Sequence, residues 1–291
     1  MSRDAAAPLS PAVPAPARPW HEPVSASGRP SLSALATVLA ITAARQARGK
    51  RALGFILLFA APAVIALLVR RYDPTYDPTV QEKVLVFGLI PQAIIPLTAL
   101  LFASGLVRDD VEEQTLTYLL IRPVPRWAIY LVKALGTTLV TSIFATAAAT
   151  AALAAIHGGL AEHDWGWLLT RAGVVSGLSS LALLVYIAVF GCLGLITRRS
   201  LAVGVGYILV FEGFLANVPF MVRYATVMFY NRVLALRWLD LNPGDWQIDL
   251  NDAPSAASCM EVQLAAAAIF IALGAWIFSS REFRVKTAEG S

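Results

Sequence analysis

Long apolar runs dominate this chain and leave it few folds. They lie near Ala52–Val69, Val84–Val107, Trp127–Ile156, Ala172–Ile196, Leu201–Met221 and Val262–Phe278. A helix needs about 20 such residues to cross a bilayer at 1.5 Å per residue. Inside hydrocarbon every backbone N–H and C=O must find a partner within the protein, which a helix supplies from its own segment. The expectation is therefore an all-α polytopic membrane protein with six transmembrane helices. The third run is too long for one perpendicular span, so it tilts or projects from the bilayer. Composition agrees: 14% of residues are charged and 57% hydrophobic, whereas a soluble domain carries about 25% charge.

Residues 1–30 are rich in Pro, Ala and Ser. They lack the apolar core of a secretory signal and cannot bury a core, so a disordered cytoplasmic tail is expected. From Ser31 the sequence predicts a helix lying in the membrane interface. Leu32, Leu35, Val38, Leu39 and Ile41 lead into the basic cluster Arg45, Arg48, Lys50 and Arg51, and Gly49 offers a bend into the first span. Simple cytosolic extension of that span is the other reading. With the N-terminus inside, most of the 23 Lys and Arg fall on cytoplasmic segments, as the positive-inside rule requires. Both chain ends are then cytoplasmic. The net charge of +4 is clustered beside apolar runs, so it sets topology rather than binding nucleic acid.

No enzyme motif is present: there is no zinc HExxH, no GxSxG elbow and no phosphate loop. The two cysteines, Cys192 and Cys259, are expected near opposite membrane faces and unpaired. His157, Glu162, His163 and Asp164 surround a short outer loop, and Asp240, Asp245, Asp249 and Asp252 form a loose acidic series; solvated turns suit both better than metal sites. The stretch from Pro219 to Glu261 is long for a structureless loop and carries aromatic and apolar residues, so short re-entrant or interfacial helices are expected before the last span. Glu212 sits within the fifth apolar run, where a charge costs about 2.5–3.5 kcal/mol on insertion scales. Two readings fit it: a polar translocation pathway at a subunit interface, or a place within reach of the outer membrane surface. Gly173/Gly177, Ser176/Ser180 and Gly191/Gly194 have the spacing of close helix packing. Trp127, Trp165, Trp167 and Trp276 are read as interface anchors.

A short charged insert separates the second and third runs. Asp110 can cap a helix whose third residue on is Glu113, acids occupy its first turn, Arg122 its last, and Pro123 stops it. Leu116, Leu119 and Leu120 form one apolar face. This amphipathic helix, about residues 110–122, is suited to docking on another protein. Glu112, Glu113, Thr115, Leu116, Tyr118, Leu119, Leu120, Arg122, Pro123 and Arg126, followed by Trp127 and Lys133, resemble the pattern of the ABC type-2 transporter permeases. The layout of residues 31–291 resembles that family too.

That resemblance implies a permease domain over 31–291 whose insert is a cytoplasmic coupling helix. Asp110, Glu112, Glu113, Thr115, Leu116, Leu119, Leu120 and Arg122 would meet a separate ATP-binding subunit. ATP and Mg would be bound there and no cofactor by this chain. It further implies a second permease copy or homologue, contact with membrane lipid, and location in a bacterial inner membrane. Export driven by the partner's ATP hydrolysis is the expected function. A non-transporting complex that sends a mechanical signal across the membrane is the alternative.

Overall fold

The computed structural model describes residues 32–48, 50–73, 75–106, 125–160, 164–197, 199–217 and 221–280. Among them every regular element is helical. The main helices are α1 (Leu32–Arg48), α2 (Lys50–Tyr72), α3 (Pro78–Ala103), α4 (Arg126–His157), α5 (Trp165–Ile196), α6 (Ser200–Asn217), α7 (Val227–Leu239) and α8 (Ala256–Ser280). Among the described residues, α3, α4, α5, α6 and α8 are long and apolar enough to cross a membrane. The remaining apolar run, 52–69, lies in α2, a helix of 23 residues. The fold is an all-α polytopic membrane protein.

Helices α4 and α5 form the centre. They pack on each other, α2 and α1 pack on α4, and α8 packs on both. Each has 32 residues, about 48 Å at 1.5 Å per residue, against a hydrocarbon core of about 30 Å. The α5 helix starts well before Ala172, because the Asp164 side chain accepts from the Trp167 N–H at 2.8 Å and caps it. Large apolar side chains such as Leu57, Leu139, Ile143, Leu209 and Ile269 face outward, as a lipid-facing surface requires.

Two spans widen locally into π-helix, over Leu85–Ile94 in α3 and Ile208–Phe214 in α6. The first contains Pro91, which has no N–H to give and crowds the preceding turn. Such single-turn widenings collect at functional sites. The long connection between α6 and α8 is folded: a short 3-10 turn at Met221–Ala225, then α7, then another 3-10 turn at Pro243–Trp246. Helix α7 packs on α5 and α8. The Arg237 guanidinium, near its C-terminal end, donates to the carbonyls of Leu250, Ala253 and Pro254 at 3.0–3.1 Å, closing the rest of the loop over it.

Close packing uses some of the small residues singled out in the sequence and leaves others aside. A Cβ on Gly194 would lie 2.9 Å from the Ser104 carbonyl oxygen, and one on Gly191 2.9 Å from the Tyr130 hydroxyl. Gly173 and Gly177 have nothing within 4 Å of where a Cβ would sit. Their face of α5 is open within the single chain.

Candidate functional site

The expected partner-docking helix, with Asp110, Glu112, Glu113, Thr115, Leu116, Leu119, Leu120 and Arg122, lies outside the described residues. Its two stems are defined. Helix α3 ends at Ala103 and continues in turns to Leu106, and α4 begins at Arg126. The last carbonyls of a helix have no partner within it. Lys133, about two turns into α4, is buried and donates from Nζ to the Leu106 carbonyl at 2.6 Å. A cation on the carbonyl end of a helix also complements its dipole. The end of one span and the start of the next are therefore clamped together at Leu106 and Lys133.

Two further elements meet this clamp. The end of α5 comes against the Ser104 backbone at Gly194. Helix α1 lies along α4, where Gln46 donates to Thr137 Oγ1 at 2.6 Å and Leu39 approaches to 3.1 Å of where a Gly136 Cβ would sit. The two stems, α1 and the end of α5 are thus in direct contact.

Glu212 lies elsewhere and is fully buried. It sits in the π-helical part of α6. Its two carboxylate oxygens accept from the backbone N–H groups of Val227 at 3.3 Å and Met228 at 3.2 Å. These are the first amides of α7, which carry the positive end of its dipole and have no partner within the helix. Tyr186, Tyr207 and Arg232 surround the same carboxylate, and Arg232 attracts it. Arg232 is held in turn by the Ala216 carbonyl at 3.2 Å and Asn217 Oδ1 at 2.9 Å. Glu212 thus fastens helix α7 to the membrane span α6.

Over residues 27–283 the chain matches the family model described as ABC-2 family transporter protein. This chain belongs to the ABC-2 transporter family. ABC-2 permeases are membrane subunits, generally non-catalytic, that operate with an ATP-binding-cassette subunit. No curated protein matches the chain.

The ABC-2 domain also contains an ionic cluster that sequence reading passed over. In the sequence His157 stands near Glu162, His163 and Asp164. Glu162 and His163 lie outside the described residues, and Asp164 is the cap of α5. His157 instead meets Glu82, with Nε2 3.0 Å from Oε2, and Arg171 donates from Nε to the other oxygen of the same carboxylate. Arg171 lies 5.1 Å over the Trp167 ring and 5.9 Å over Phe87, and also donates to the Leu239 carbonyl at 3.3 Å. One carboxylate thereby joins α3, α4, α5 and the end of α7. Trp167 belongs to this cluster, whereas Trp127, Trp165 and Trp276 are exposed. No sequence signal pointed to Glu82, because its partners lie about 75 and 89 positions away. In the acidic series after α7, Asp249 builds a turn, accepting from the Asn251 N–H at 2.9 Å. No group of three or more His, Cys, Asp or Glu gathers among the described residues.

Proposed function

We propose that this ABC-2 permease is the membrane subunit of an ATP-driven exporter of the bacterial inner membrane. Its termini face the cytoplasm, and ATP and Mg are held by the partner ATP-binding subunit. The coupling segment 110–122 docks on that subunit, with Asp110, Glu112 and Glu113 meeting basic groups and Leu116, Leu119 and Leu120 filling an apolar groove. Thr115 and Arg122 complete the contact. The observation that carries this reading is the Lys133–Leu106 clamp, since it supports transfer of a push on the insert to α3 and α4 together.

Motion of α3 then reaches the π-helical segment at Leu85–Ile94, which is a natural place for the span to bend. Glu212 enters as a wall of the translocation route, holding α7 against α6 on the outer side. A second permease copy faces this one across the membrane. The open face at Gly173 and Gly177 supports close approach of another helix there. Membrane lipid covers the remaining outward apolar surface.

The test is the double substitution Glu113→Lys with Leu116→Lys in the full transporter. Insertion and expression should be unchanged, while the permease loses its influence on ATP hydrolysis by its partner. Normal coupling in that variant refutes the proposal. Covalent labelling of residues 109–122 from the outer side of intact cells would also refute it.

A further inference from the structure

Two buried contacts tie α3 to its antiparallel neighbour α4, one at each end. Glu82 meets His157 at the end of α4, and the Leu106 carbonyl, just past α3, accepts from Lys133 near the start of α4. The same number of residues separates Glu82 from Leu106 as separates Lys133 from His157, a length of about 36 Å in regular helix at 1.5 Å per residue. Arg171 of α5 holds the other oxygen of Glu82. Breaking buried charged contacts is costly, and sliding α3 along α4 would have to break both ties together.

Between the ties α3 is weak. Pro91 and Pro96 stand one π-turn apart, and neither has an N–H to give to the helix. The Ile95 N–H reaches back past Pro91 to the Ile90 carbonyl, the wide hydrogen bond of the π form. Sharp helix bends fall at such prolines and π-turns. A load on a span held at both ends is therefore taken up at Leu85–Ile94.

That hinge is also joined to α6. Phe87, inside it, lies edge-on to Trp246 with ring centres 6.3 Å apart. The guanidinium of Arg232 on α7 lies over the same indole at 5.8 Å. Arg232 in turn donates to the Ala216 carbonyl and to Asn217 Oδ1, just beyond the π-helical stretch Ile208–Phe214 of α6. Edge-on ring pairs and cation–π contacts are directional. A chain of packed side chains carries a displacement between elements that can each take two arrangements, and here both ends of the chain are widened helix. We propose that α3 bows between its two ties and that Trp246 passes the bow to α6, so that the two π-helical segments work as one linked hinge. The bow needs no partner; only its use in transport rests on the coupling reading.

The experiment uses the full chain in nanodiscs, without nucleotide or ATPase, and takes bilayer thickness as the load. Mismatch with the bilayer is answered by tilt or by a bend. Alanine replaces the two free cysteines, Cys192 and Cys259. Spin-label pairs, diluted with unlabelled chain, report the ties (Val80 with Ala151, Leu101 with Leu135), the hinge (Ala93 with Ile143) and α6 (Leu209 with Ile143). All of these positions are exposed except Ala93, which is half-buried. Double electron–electron resonance compares dimyristoyl with dierucoyl phosphatidylcholine. The tie pairs should hold within about 1 Å while the Ala93 and Leu209 pairs shift together by about 3 Å, the scale of thickness differences between membranes. Pro91→Ala, which restores an N–H, should roughly halve both shifts. Trp246→Leu should keep the Ala93 shift and remove that of Leu209. Tie pairs that shift, which means sliding, overturn the proposal. So does an Ala93 shift with no response at Leu209, and so do distances that stay constant throughout. Those outcomes are read with Pro91 and Trp246 in place, so they hold whether or not either variant folds. With no ATPase present, failure here leaves the docking of 110–122 standing, and normal coupling in the insert variant leaves the hinge standing.

Discussion

Replacing Glu212 by leucine tests the fastening of α7 most directly. The substitution removes the acceptor of two buried N–H groups, those of Val227 and Met228, at about 1–3 kcal/mol each. Loss of a carboxylate at a helix N-terminus adds up to about 2 kcal/mol in a buried setting. Global stability is a poor readout, since deleting a buried charge returns several kcal/mol of desolvation while Arg232 loses its counter-charge. Local opening of α7 is the sharper readout, because it breaks the contacts that Glu212 makes with Val227, Met228 and Arg232. The two N–H groups alone give a local loss of about 2–6 kcal/mol, which corresponds to amide exchange in 227–232 faster by about 30-fold to about 25,000-fold. Glu212→Gln retains one acceptor oxygen, so its effect should be smaller, about 5- to 30-fold. Hydrogen exchange with mass spectrometry on the full chain in nanodiscs reads both. If the leucine variant exchanges over these residues within about threefold of wild type, Glu212 does not hold α7 and the reasoning fails.

Other perturbations address the remaining contacts. Lys133→Met should cost about 1.5–3 kcal/mol, the range for a hydrogen bond to a charged group, and lower the unfolding midpoint by about 3–10 °C, with Lys133→Arg recovering part of it. An unchanged midpoint would remove the clamp from the account. Glu82→Gln should destabilise by about 3–5 kcal/mol because Arg171 is left without its counter-charge, and adding Arg171→Met should recover much of that loss; strict additivity of the two would show that they do not interact. Gly274→Ala places a Cβ 2.3 Å from the Tyr130 hydroxyl and should cost about 1–3 kcal/mol by overpacking. Gly173→Ala meets open space and should stay within about 0.5 kcal/mol in the isolated chain; denaturant unfolding in mixed micelles distinguishes the pair.

Much of the fold was legible in the sequence because hydrocarbon is an undemanding solvent to read. A run such as 127–156 has only one way to satisfy its backbone, and α4 covers it from Arg126 to His157. The start of α5 was less legible, since Asp164 and the two tryptophans after it lie outside the apolar run yet cap and continue the helix. The outer connection was readable as short helices from its aromatic content, but not as a helix packed on α5 and α8.

Side-chain chemistry divided along the same line. Glu212 drew attention as a charge in an apolar run, since insertion cost depends on composition alone. What it touches depends on where the chain brings Val227 and Met228, which composition does not encode. Glu82 drew none, because a lone acid at the start of a span is ordinary until His157 and Arg171 are folded against it.

By itself, then, the sequence determined that this chain is a helical membrane protein with a charged insert between two spans, because burial in hydrocarbon and helix capping are local requirements. Only the tertiary structure decided that Lys133 closes the stems of that insert, that Glu212 caps a helix from another element, and that Arg232 holds the end of α6 at Ala216 and Asn217. Those outcomes require groups distant in sequence to meet at about 3 Å, and only the packing of whole helices sets such distances.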